Sequence, residues 1–211
     1  MIRDGFDKEG TPDTNVWVLF GNPKVYSGAL YLTSSDGVRS KGKFVLDDTA
    51  RVTVKILNGA GYVFISPYEV MGRPDTYPGL TFYKMSYDQS GSYFRVILAD
   101  QRGDIATVYT SFSLTIVAKC AGETINFYAL GGTTERPSET LIASVKNQFR
   151  NIENYLYLFG GATNIDYVEA GSGRELMATL MMENIMPVMM SALSVVMIVL
   201  VLKAIIRMFK R

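Results

Sequence analysis

The stretch 50-ARVTVKI-56 alternates cleanly: Val52, Val54 and Ile56 fall on one side of an extended chain, and Arg51, Thr53 and Lys55 on the other. Side chains of a strand point alternately to its two faces, so this pattern describes a strand with one face in a core and one in water. Working outward, the two-residue period runs from about residue 13 to 132. It predicts further strands at 16-VWVLF-20, 27-SGALYLT-33, 38-VRSKGKFVL-46, 61-GYVFIS-66, 80-LTFYKM-85, 92-SYFRVILA-99 and 123-ETINFYAL-130, and one bent strand or two in 105-IATVYTSFSLTIVAK-119. All are rich in the β-branched and aromatic residues that suit a pleated surface.

Turn signals separate these stretches: Ser35-Asp36-Gly37, Asp47-Asp48, Asn58-Gly59, Ser90-Gly91 and Arg102-Gly103-Asp104. Asn-Gly in particular favours the positive φ angles of a tight hairpin. About eight or nine strands with short turns predict a mainly β fold, an antiparallel β-sandwich that is jelly-roll-like. Residues 1–12 read as an N-terminal arm and 13–132 as the sandwich domain. The longest interruption, 67-PYEVMGRPDTYPG-79, holds three prolines and no period, which predicts a rigid projecting loop. Its Tyr68, Arg73 and Tyr77 are the residue types that anchor interfaces, so they are the candidate partner contact.

After Gly131-Gly132 the pattern changes. Leu141, Ile142, Val145, Phe149, Ile152, Leu156 and Phe159 recur at spacings of three and four, which predicts an amphipathic helix over 138–159, capped by Ser138 and ended by Gly160-Gly161. With the loop that follows it fills residues 133–172, and 173–211 read as a C-terminal helix. Within that helix no charge occurs from Asn184 to Leu202, and the apolar run is long enough to cross a bilayer. The span is placed at about 185–206, with Ile185, Val188, Leu193, Val196, Ile198, Leu200 and Leu202 as its anchor residues. Lys203, Arg207, Lys210 and Arg211 form a basic tip, for contact with lipid headgroups or, nonspecifically, with nucleic acid.

Composition narrows the chemistry. The chain of 211 residues has 21 Lys and Arg against 20 Asp and Glu, and four of those bases but none of the acids lie beyond residue 184. A single cysteine, Cys120, excludes an intrachain disulfide, and the absence of histidine removes the commonest general base and every His-containing triad or metal site. Asp47-Asp48 and the segment Asp100 to Asp104 admit a carboxylate pair or a calcium site, but turn-forming roles are commoner for such residues. These observations lead to the expectation of no enzymatic activity, no cofactor and no metal. Ten of the 13 tyrosines lie between residues 26 and 128, either as good strand residues or as a contact surface for glycan or protein.

The N-terminal sequence MIRDGFDKEGTPDTN has no apolar leader, which leads to the expectation that the sandwich stays on the side of the membrane where it is made. A sandwich, a short helix and a C-terminal anchor together resemble the small structural proteins of icosahedral archaeal or bacterial viruses with an internal membrane. That resemblance implies a non-enzymatic virion protein, oligomeric with itself and with capsid shell proteins, that ties the capsid to the lipid bilayer. The same layout is similar to that of vesicle-associated membrane-protein-associated proteins. This implies instead a cellular tail-anchored adaptor whose β-sandwich binds a peptide or glycan.

Overall fold

The computed structural model describes residues 1–88, 93–98, 104–109, 114–133, 136–194 and 197. Its strands in chain order are β1 (Ile2–Asp4), β2 (Trp17–Phe20), β3 (Lys24–Tyr26), β4 (Ala29–Leu32), β5 (Gly37–Ser40), β6 (Phe44–Val45), β7 (Arg51–Ser66), β8 (Tyr83–Asp88), β9 (Tyr93–Leu98), β10 (Asp104–Tyr109), β11 (Leu114–Ala121), β12 (Thr124–Thr133), β13 (Arg136–Lys146) and β14 (Glu153–Gly171), followed by α1 (Gly173–Leu180). All strand pairs are antiparallel.

Two long strands, β7 and β14, pair along their whole length and belong to both layers of the sandwich. The first part of β7 takes β11 on its free edge, continued by β12 and β13, while the end of β14 takes β1. The second part of β7 takes β8, β9 and β10, while the start of β14 takes β5 and then β2. Between the halves the pairing slips around Gly161–Tyr167. Gly59 has a φ of +89°, and a Cβ there would stand 2.1 Å from the Ala162 carbonyl oxygen. A bend this tight needs a residue without a side chain.

The alternation read from 50–56 holds. Val52, Val54 and Ile56 are buried in the main core, with Val63 and Ile65 from the second half of the same strand. Tyr83 of β8 meets Phe127 of β12 across the sandwich at 5.9 Å between ring centroids, and meets Phe149 edge-on at 5.0 Å. The N-terminal arm is part of this body: Ile2 and Phe6 are buried, and the indole of Trp17 donates to Asp4 Oδ2 at 2.7 Å.

Two expectations are corrected. Asn58-Gly59 does not close a hairpin but bends one continuous strand. The amphipathic helix over 138–159 does not form: 138–146 belong to β13 and 153–159 to β14, joined by a turn over 147–152, and the loop predicted after it continues β14 to Gly171. The physical reason lies in the run 155-YLYLF-159, which is apolar on both faces because both are covered. Leu156 and Leu158 face the main core, while Tyr155, Tyr157 and Phe159 enter a second cluster. An uninterrupted apolar run of this kind offers helical and extended spacings alike.

Residues from Arg174 onward form a separate unit. Helix α1 passes into a π-helical turn, Met181–Ile185, and helix resumes over 186–194. Pro187 has no N–H to offer the carbonyl of Glu183, which accounts for the change of pitch just before it. Ile185, Val188 and Leu193 are exposed on this helix, as are Met177, Met181, Met182, Met186, Met189 and Met190. Among the described residues no helix is long and apolar enough to cross a membrane. Most of the expected span, including Val196, Ile198, Leu200 and Leu202, and the basic residues Lys203, Arg207, Lys210 and Arg211, lie outside the described residues, as do the turns at Ser90-Gly91 and Arg102-Gly103.

Candidate functional site

The layer built on β8, β7, β14, β5 and β2 carries a second apolar cluster on the face turned away from the main core. The pairing register fixes its layout. One row across the five strands reads Lys84, Phe64, Tyr157, Arg39 and Val18; the next reads Ser86, Tyr62, Phe159, Gly37 and Phe20. Phe159 stacks on Phe20 at 5.5 Å and meets Phe64 edge-on at 6.2 Å. Gly37 makes room for it, since a Cβ there would stand 2.2 Å from two ring carbons of Phe159.

The proline-rich loop 67–79 folds back over this face, so Tyr68, Arg73 and Tyr77 lie at its margin. Val70 and Phe82 are buried in the cluster, with Tyr77 and Leu80 packed against it. Three polar anchors hold the loop. The Tyr157 hydroxyl donates to the Tyr68 carbonyl at 2.7 Å and accepts from the Val70 N–H at 3.1 Å. Glu69 accepts from Arg39 Nη2 at 2.6 Å and from the Tyr155 hydroxyl at 2.9 Å. Asp75 accepts from both Arg73 Nη2, at 2.8 Å, and Lys84 Nζ, at 3.0 Å.

Aromatic rings and cations interleave along the rim. Arg73 and Lys84 each lie 4.5 Å from the centroid of the Tyr62 ring, while Arg39 at 4.9 Å and Lys43 at 5.1 Å share the Tyr155 ring. Such contacts are worth about 0.5–1 kcal/mol where exposed and more where desolvated. Hydrogen bonds from Tyr155 and Arg39 hold the Glu69 carboxyl below the usual carboxylate range. Burial opposes ionisation of Asp75, but hydrogen bonds from Arg73 and Lys84 outweigh it and lower that carboxyl too. Burial pushes the Tyr155 and Tyr157 hydroxyls up, and Tyr155 is raised further by its bond to Glu69. Both carboxylates are therefore ionised at neutral pH, as acceptors.

The other sequence-derived residues resolve simply. Asp47 accepts from the N–H and hydroxyl of Thr49, and Asp48 pairs with Arg150, so both shape the turn. Cys120 is buried, and burial together with the nearby Asp47 and Asp48 charges pushes its thiol up to about 12. Among the described residues no group of three or more acidic or cysteine side chains comes together to hold a metal.

No family model matches the chain, and no curated protein matches its sequence. Solved structures do share its fold. LamA from Z. galactanivorans, in complex with laminaritriose and laminaritetraose, superimposes with a TM-score of 0.58 over 81% of this chain and 97% of its own, at 15% identity. The exoplasmic/lumenal domain of VIP36 in its Ca²⁺-bound form gives a TM-score of 0.58 over 80% of this chain and 88% of its own, at 10% identity. A β-glucanase of Bacillus licheniformis gives 0.51 over 81% and 97%, at 14% identity.

At these identities the likeness establishes the fold, an antiparallel jelly-roll-like sandwich. The expectation of a virion protein linking a capsid shell to lipid is overturned, because the architecture it rested on is that of LamA, VIP36 and a β-glucanase. The expectation of no enzymatic activity falls with it. That expectation leaned on the missing histidine, whereas glycoside hydrolysis runs on paired carboxylates alone, and the same sandwich carries a β-glucanase.

Proposed function

We propose that this protein binds carbohydrate at the aromatic face of its second layer and is held at a membrane by its C-terminal apolar helix. The observation that carries the reading is the rim itself: Tyr68 is exposed, half-buried Tyr62 and Tyr77 pack against the apolar cluster, and Arg73 and Lys84 lie against the Tyr62 ring. A pyranose offers apolar C–H faces and a belt of hydroxyls, so it needs flat aromatic surface flanked by fixed donors and acceptors. Two fold relatives support this reading: LamA was captured with laminari-oligosaccharides, and the VIP36 domain in a Ca²⁺/Man2-bound form that superimposes with a TM-score of 0.54.

The exposed methionines and aliphatic residues of the 174–194 segment suit a lipid environment better than water. The hydroxyls of Ser191 and Ser194 bond to the carbonyls of Val188 and Met190, one turn back, as polar groups in lipid must. The proposal develops the adaptor reading of the sequence, a tail-anchored sandwich that binds a peptide or glycan, on its glycan side.

The test is titration of the full-length chain in detergent or nanodiscs with laminari- and manno-oligosaccharides. Saturable binding that is weakened by Tyr62→Ala and Arg73→Ala is expected. Chromatography of the same mixtures for shortened sugars reports whether the face also cleaves what it holds. Absence of binding to every neutral and acidic oligosaccharide would refute the reading.

A further inference from the structure

Arg39 is the least satisfied group on the face. Its side chain is 6% exposed, and Nε and Nη1 are buried without a hydrogen-bond partner. The Tyr157 hydroxyl lies near the guanidinium and keeps an acceptor lone pair after its two bonds to the loop backbone, but neither nitrogen reaches it with hydrogen-bond geometry. Arg39 thus engages Glu69 through Nη2 while two other nitrogens stay idle. A guanidinium carries five donors, and a buried one is costly unless they are used.

The partner is built in the opposite way. The Glu69 side chain is 58% exposed and sits on the loop, so it can rotate into water while Arg39 cannot. A fixed buried cation faced by an exchangeable carboxylate is the arrangement of a site occupied by its own substitute ligand.

We infer that the face selects an acidic glycan, whose sugar carboxylate displaces Glu69 from Arg39 and the Tyr155 hydroxyl. This rests on the glycan-binding reading and adds the charge of the sugar to it. A planar carboxylate laid along either edge of the guanidinium pairs Nη2 with Nε or with Nη1, recovering a donor that Glu69 leaves unused. The Tyr155 hydroxyl, released from Glu69, supplies a third bond, and Lys43 above the same ring adds a second cation. An acidic peptide is disfavoured on topology. Peptides commonly dock by adding a strand to a free edge, and β5, which carries Arg39, has both edges filled, by β2 and β14.

The experiment titrates the full-length chain with laminaritetraose and mannotetraose, each against its C6-oxidised, uronate form. The oxidised sugar should bind about tenfold more tightly, the scale of one well-made charged pair. Glu69→Ala should raise the ratio of oxidised to neutral affinity above that of the parent chain. Glu123→Gln, the same charge change on the exposed β11–β12 turn, should leave that ratio unchanged. Arg39→Met should erase the preference, with circular dichroism confirming the fold.

Equal binding of neutral and oxidised sugars overturns the inference and leaves the glycan reading standing. No binding of any sugar overturns both. An equal gain in Glu123→Gln would reduce the effect to general charge and overturn the exchange at Arg39. Competition by tetraglutamate as strong as that of the uronate would overturn it in favour of a peptide ligand.

Discussion

Replacing Tyr157 with Phe removes one oxygen and tests how the loop is held. That oxygen donates to the Tyr68 carbonyl at 2.7 Å and accepts from the Val70 N–H at 3.1 Å. Tyr157 is fully buried and Val70 nearly so, and the ring keeps its packing in the variant. The cost is therefore two backbone groups stripped of their partner, at about 1–3 kcal/mol each. Water reaching the exposed Tyr68 side recovers part of this, which leaves a net loss of about 2–4 kcal/mol. For a chain of this size that corresponds to a fall in Tm of roughly 5–12 °C. Denaturant unfolding gives the free energy, and hydrogen exchange at the Val70 amide gives the place. That amide should lose protection far more than amides in β11 and β12. Because the loop carries Tyr68, Arg73 and Tyr77, oligosaccharide affinity should also fall about tenfold, or about 1.4 kcal/mol. A variant that melts with the parent and keeps Val70 protected would show that the hydroxyl does not fasten the loop.

Alkaline pH should release the same loop. The folded-state pKa values of Tyr155 and Tyr157 are raised, so the stability they contribute is fully present below the unfolded value near 10 and is lost as pH rises through the folded values; loss of protection at Val70 as pH falls from 8 to 6 would contradict this. Gly37→Ala forces a methyl against the Phe159 ring and should cost about 1–3 kcal/mol through overpacking, read by thermal melting; a neutral result would contradict the stacking on Phe20. Cys120, with its thiol pushed up to about 12, should resist alkylation at pH 8 until the protein is denatured; labelling of the native chain within minutes would contradict its burial.

The main core was legible where the opposite face of a strand carries polar residues, as in the first part of β7. Val52, Val54 and Ile56 alternate with Arg51, Thr53 and Lys55, so the period shows directly. The second cluster was not, because β14 is covered on both faces and 155-YLYLF-159 shows no alternation between apolar and polar residues. A helix was read there for that reason. Asn58-Gly59 supplies the same local signal for a hairpin and for a bend, and only the pairing with β14 distinguishes them.

The site was half visible. Tyr68, Arg73 and Tyr77 stood out on a loop marked by prolines, and the structure places that loop over the aromatic face. Tyr62, Phe64 and Arg39 read as ordinary strand residues, and Tyr155 and Tyr157 fell in the segment whose spacing predicts a helix. Their signal was the pair of runs 61-GYVFIS-66 and 155-YLYLF-159, each too apolar for a strand wet on one side, and register alone brings them together with Arg39.

The central claim is that sugar docks on the face fastened under the 67–79 loop. Mapping backbone amide chemical shifts of the full-length chain in nanodiscs, while adding laminaritetraose and then its oxidised form, addresses it most directly. Shifts should gather at Tyr62, Glu69, Arg73, Tyr77 and Arg39, with those at Arg39 and Glu69 larger for the oxidised sugar. Shifts confined to the Tyr26–Tyr31 hairpin, where Tyr26 stands 74% exposed, or no shifts at all, would contradict the account.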